Sequence, residues 1–128
     1  MNIKNMSDDQ ALAVLLLATT VMDGKIEESE LGAVLVLFCT TTGKTPDQGG
    51  PIVLEMAEKV LKGGTDVMSG AIIQATEVVK RRYSRDKLIA LVKAMMGISK
   101  SDGDISMPEA QWIGAVMTNL GITLDDLI

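Results

Sequence analysis

Apolar positions recur at helical spacing along almost the whole chain, and no segment keeps the strict alternation of a strand. A first helix opens at Ser7, where Gln10 three residues on completes a capping box and Asp8 and Asp9 favour the N-terminal dipole. Through Leu12, Val14, Leu15, Leu16 and Leu17 it is apolar on every side, the pattern of a helix in the middle of a bundle. Asp23-Gly24 ends it, since glycine enters the left-handed region at no steric cost. A second helix from near Glu27 carries Leu31, Val34, Leu35 and Phe38 and ends at Thr42-Gly43. Lys44 to Pro51, with Pro46, Gly49, Gly50 and Pro51, reads as a loop. A third, amphipathic helix follows from Ile52 to Leu61 and is stopped by Gly63-Gly64; a fourth carries Met68, Ala71, Ile72, Ala75 and Val79 and ends in Lys80, Arg81 and Arg82. Ser84 caps a fifth helix, with Leu88, Leu91, Val92, Met95 and Ile98, which repeats the pattern of the first and ends at Asp102-Gly103. A sixth runs from Ser106 through Ile113, Val116 and Leu120 to Gly121, and Thr123 caps a short seventh. The pattern predicts an all-α bundle of six to seven helices.

Composition narrows the chemistry. The 128 residues fit one domain, expected over 1–128 with its core at about 8–122. Without histidine there is no Ser-His-Asp triad, Cys-His dyad or His-based zinc site. With the single Cys39 there is no intrachain disulfide or thiolate cluster, and a thiol beside Phe38 reads as a small buried hydrophobe in a reducing compartment. The net charge of −5 disfavours nucleic acid as the main partner. The longest apolar run, Ala11 to Ala18, is far short of the roughly 20 residues that span a bilayer, and Asp8 and Asp9 stand where a signal peptide would be basic, so a cytoplasmic location is expected. With single Phe38, Tyr83 and Trp112 there is no stacking platform for sugars or bases, and the chain reads as a non-enzyme. The nine methionines fall largely on apolar stripes and read as core filling.

The informative feature is a duplication. Asp23-Gly24-Lys25-Ile26-Glu27-Glu28-Ser29-Glu30 and Asp102-Gly103-Asp104-Ile105-Ser106-Met107-Pro108-Glu109 share the pattern D-G-x-I-x-x-x-E. Each copy follows a strongly apolar helix and precedes an amphipathic one, so two equivalent helix–loop–helix hairpins are expected, able to pack about a pseudo-twofold axis. Two readings of the motif stand side by side. In the first it ties off helices: the glycine turns the chain, Ile26 staples onto Leu31, and Ser106 with Glu109 forms a capping box. In the second it binds metal, for the same pattern is the latter half of a calcium loop. Thr19 and Val21, and Ile98 and Lys100, stand where the loop's first ligands belong, which excludes a full EF-hand. Each copy still carries a net −3, and charge of one sign concentrated in two loops favours a hard cation, Ca²⁺ or Mg²⁺. Asp23, Glu30, Asp102 and Glu109 are the candidate ligands, with Glu27 and Asp104 secondary.

Two such hairpins, with the motif after an Ala/Leu-rich helix and about 80 residues between copies, resemble the TerB-like family of tellurite-resistance proteins, whose all-helical domain is related to one in DjlA-type membrane-anchored co-chaperones. The similarity covers roughly residues 8 to 122, including Leu120-Gly121-Ile122. It implies a compact helical domain, divalent-ion binding at Asp23, Glu30, Asp102 and Glu109, and work as a scaffold or sensor with protein partners in stress-response or membrane-associated complexes; a homo-oligomer stays open. The chain departs from the family pattern before each D-G, where Met22 and Ser101 replace the usual small residue, and no J-domain or membrane anchor is expected from its sequence. A last candidate is the stretch from Lys80 to Lys93, in which Lys80, Arg81, Arg82, Arg85 and Lys87 offer a surface to an anionic partner or simply end one helix and solvate the next.

Overall fold

The computed structural model describes residues 6–18, 28–100 and 107–127, with the side chains of 63–69, 98–100, 107–110 and 112 outside the description. Among the described residues there are five α-helices, a closing 3₁₀ turn and no strand: α1 (Asp8–Ala18), α2 (Glu28–Thr42), α3 (Pro46–Arg82), α4 (Arg85–Lys100), α5 (Met107–Leu120) and the turn Leu124–Leu127.

The α1 helix is the centre of the bundle. It opens on the expected capping box: the Gln10 N–H donates to Ser7 Oγ at 3.1 Å, and the Ser7 N–H donates to Gln10 Oε1 at 3.0 Å. All eight residues from Ala11 to Ala18 are at most 2% exposed, so no face of the helix meets water. Burial of each leucine stabilises the fold by about 1.5–3 kcal/mol. Two ion pairs hold the mouth of the helix: Asp8 to Arg82 at the end of α3 and Asp9 to Lys44 just after α2, both at 3.3 Å.

The loop expected over Lys44 to Pro51 is only three residues long. Gly43, at φ +78°, closes α2 with its N–H on the Cys39 carbonyl at 2.9 Å, and Thr45 caps the next helix at once. Thr45 and Gln48 exchange side-chain and backbone hydrogen bonds, a second capping box, and Pro46 takes the first helical position, where a missing N–H costs nothing. Gly49 and Gly50 are thus helical rather than loop residues. Nor does Gly63-Gly64 stop the helix: α3 runs for 37 residues, roughly 55 Å. The physical reason is phase. Val53, Met56, Ala57 and Val60 before the glycines, and Ala71, Ile72, Ala75 and Val79 after them, are buried and in helical phase with one another. Packing of α3 against α1, α2 and α5 outweighs about 1 kcal/mol of unfavourable propensity per glycine. Thr76, a buried polar residue of α3, returns its hydroxyl to the Ile72 carbonyl at 2.7 Å.

The second hairpin closes the fold. Leu88, Leu91, Val92 and Met95 of α4 and Ile113, Val116, Met117 and Leu120 of α5 face the core. Gly121, at φ +74°, ends α5 in a Schellman motif, with N–H bonds from Gly121 to Thr118 O (3.2 Å) and from Ile122 to Met117 O (2.9 Å), and buried Ile122 supplies its hydrophobic contact. Cys39, expected to be buried, is half-buried, its thiol against Gly49.

The C-terminal turn is clamped onto the start of α4. Arg85 donates to Gly121 O at 2.9 Å and to Asp126 Oδ2 at 2.6 Å, and Asp126 also accepts from the Thr123 N–H and hydroxyl. The Thr123 N–H first, and Arg85 with it, hold the Asp126 carboxyl below its ordinary value of 3.8. A carboxyl lowered in the folded state contributes stability that is present above its unfolded value and lost as the pH falls through the folded one. Asp126→Asn is therefore expected to be less stable than the parent at neutral pH, the gap narrowing as urea midpoints are taken to pH values below 3.8. A gap independent of pH would show that the charge is immaterial.

Candidate functional site

Each motif copy ends in the first turn of a helix. Glu30 is the third residue of α2 and Glu109 the third of α5. The two helix starts, Glu28 and Met107, are separated by the same 79 residues that separate Asp23 from Asp102. The duplication in sequence is thus a duplication in register: α1 and α2 flank the first copy as α4 and α5 flank the second, and the members of each pair pack on one another. Acids in a first helical turn face the positive end of the dipole, worth about 0.3–1 kcal/mol apiece. Glu28 is exposed and Glu30 half-buried. Asp23, Glu27, Asp102 and Asp104, and the side chain of Glu109, lie outside the described residues, and among the described ones no group of three or more metal-ligating acids or thiols gathers.

Five of the described cations are engaged with acids outside the motifs. Lys44, Lys59, Lys62, Arg82 and Arg85 pair with Asp9, Glu55, Glu58, Asp8 and Asp126, none of them a motif residue. The Lys62 hydrogen bond keeps the exposed Glu58 carboxyl below its usual range. Within the basic stretch, Arg82 also lies over the Tyr83 ring, 5.3 Å from its centre, and Arg81 Nε donates to the Glu77 carbonyl at 3.3 Å. Lys80 and Lys87 are exposed.

Two surface depressions have no counterpart in the sequence reading. The wider, about 540 Å³, lies between α2 and α3 and is lined by Leu31, Leu35, Val53 and Leu54, with Glu28 of the first motif among its walls. Gly32 and Gly50 open it, since a Cβ at either position would meet nothing within 4 Å. The smaller, about 220 Å³, lies between α2 and α4. Both arise where apolar residues of two helices stop short of contact, which periodicity along one helix does not reveal.

An all-α fold of two in-register helical hairpins packed on one long helix defines the class. The model of the family described as tellurite resistance protein TerB matches residues 9–128, and the chain belongs to that family. No curated protein and no solved structure matches the chain significantly. No described helix is long and apolar enough to cross a membrane.

Proposed function

We propose that this TerB-family chain is a non-enzymatic cytoplasmic module that binds Ca²⁺ or Mg²⁺ through its two D-G-x-I-x-x-x-E connections and serves as a scaffold or sensor for protein partners in tellurite or stress resistance. The observation that carries the reading is the register of the repeat: both acidic motifs run into helix starts the same distance apart as the motifs themselves. Asp23, Glu30, Asp102 and Glu109 supply hard oxygen ligands, with Glu27 and Asp104 in support. Because Glu28 belongs to the first motif and also lines the α2–α3 groove, ion binding would be read out at an apolar surface fit for a partner.

A second reading has its own support. The chain twice starts a helix with a capping box, at Ser7/Gln10 and Thr45/Gln48, and Ser106/Glu109 fits the same device. On that reading the module is metal-free and the acids only cap helices. Thermal melts separate the two. An ion at a hundredfold excess over its dissociation constant stabilises the folded form by about 2.7 kcal/mol, a rise in Tm on the order of 10 °C for a chain of this size. Melting temperatures unchanged between chelator and millimolar Ca²⁺ or Mg²⁺ would leave the capping reading.

A further inference from the structure

We propose that the groove between α2 and α4 binds a small amphipathic anion, a medium-chain fatty carboxylate, independently of any ion at the acidic motifs. Leu37 from α2 and Ala90 and Leu91 from α4 make its apolar wall, and Thr41, Tyr83 and Lys87 place polar groups along it. An apolar cavity of about 150 Å³ accommodates benzene, so a groove of 220 Å³ takes an eight-carbon chain folded against its wall.

The polar groups are what distinguish this groove from an uncovered apolar face. Thr40 and Thr42 donate their hydroxyls back to Val36 O and Phe38 O, both at 2.8 Å. The hydroxyls of Thr41 and Tyr83 and the ammonium of Lys87 make no hydrogen bond or ion pair with another described residue. Arg82 and Arg85, the cations nearest in sequence, are bound to Asp8 and Asp126, so Lys87 brings an unspent positive charge to the groove. Lys87 is also the third residue of α4, whose N-terminal dipole adds to that charge. Two hydroxyl donors and one ammonium beside an apolar wall match a carboxylate head on a hydrocarbon tail. The half-buried Tyr83 phenol is pushed above its ordinary pKa, chiefly by that burial, with Asp9 and Asp8 adding to the rise.

Tyr83 is the single tyrosine, so a ¹³C-labelled tyrosine ring gives one reporter at the site. Titration with octanoate is expected to move that signal saturably at millimolar concentration. Lys87→Gln should weaken octanoate by about three- to fivefold, the range of an exposed ion pair, and leave octanol unchanged. Ala90→Trp, which fills the groove from an exposed position, should abolish both. No saturable shift, equal octanoate affinity with and without Lys87, or undiminished binding by Ala90→Trp would each overturn the assignment. Should Ala90→Trp fail to fold, Lys87→Gln decides alone, because its octanoate-to-octanol ratio is insensitive to overall stability.

Discussion

Leu15→Ala is expected to destabilise the protein by about 2–5 kcal/mol, and Leu15→Asp to leave it unfolded at room temperature. Leu15 is fully buried in the middle of α1, with seven other buried residues along the same helix. Its surroundings belong to helices fixed by their own contacts, so they cannot collapse into the space that alanine leaves. Aspartate adds the cost of an unpaired buried charge, and a domain holding about 5–15 kcal/mol in total does not survive both. The comparison is Val36→Asp, at a position 67% exposed, expected to fall within about 0.5 kcal/mol of the parent. Urea denaturation followed by circular dichroism measures both; similar midpoints for Leu15→Ala and the parent would mean that α1 is not the core.

Phe38→Ala carries the second large effect, about 3–5 kcal/mol. The ring is fully buried where α2 meets the first turn of α3, and it leans on a glycine. A Cβ on Gly49 would sit 2.9 Å from Cys39 Sγ and 3.1 Å from Phe38 Cδ1. The thiol can turn away, but the ring has no space to do so. Gly49→Ala should therefore destabilise by about 1–2 kcal/mol even after its helical gain, whereas Gly50→Ala, open on all sides, should stabilise by about 0.5–1 kcal/mol. Opposite signs at adjacent positions are the signature of this seam. If both substitutions stabilised, α2 and α3 would not meet as closely as described.

The helical class, the central place of α1 and the Gly43 and Gly121 stops were legible because each follows from local chemistry: an eight-residue apolar run, and glycines able to take positive φ. Two boundaries misled for opposite reasons. Pro46, Gly49, Gly50 and Pro51 look like a loop by composition, yet Thr45 and Gln48 form a capping box that starts the helix there. Gly63-Gly64 looks like a stop, yet the buried residues Val53 to Val60 and Ala71 to Val79 on either side are in phase, and long-range packing decides over propensity. Membership of the TerB family rested on spacing and order, and the family match over residues 9–128 bears it out. The grooves could not be read at all, because each is made by residues of two helices.

The two acidic connections are proposed to hold a cation. A calcium isotherm on the folded chain, by titration calorimetry after exhaustive chelation, asks this without reference to stability or partners. Saturable binding of one or two ions per chain, lost in the Asp23→Asn/Asp102→Asn variant while its helical circular dichroism is kept, is the predicted result. A folded parent that takes up neither Ca²⁺ nor Mg²⁺ at millimolar concentration, or a variant that binds as well as the parent, would contradict it.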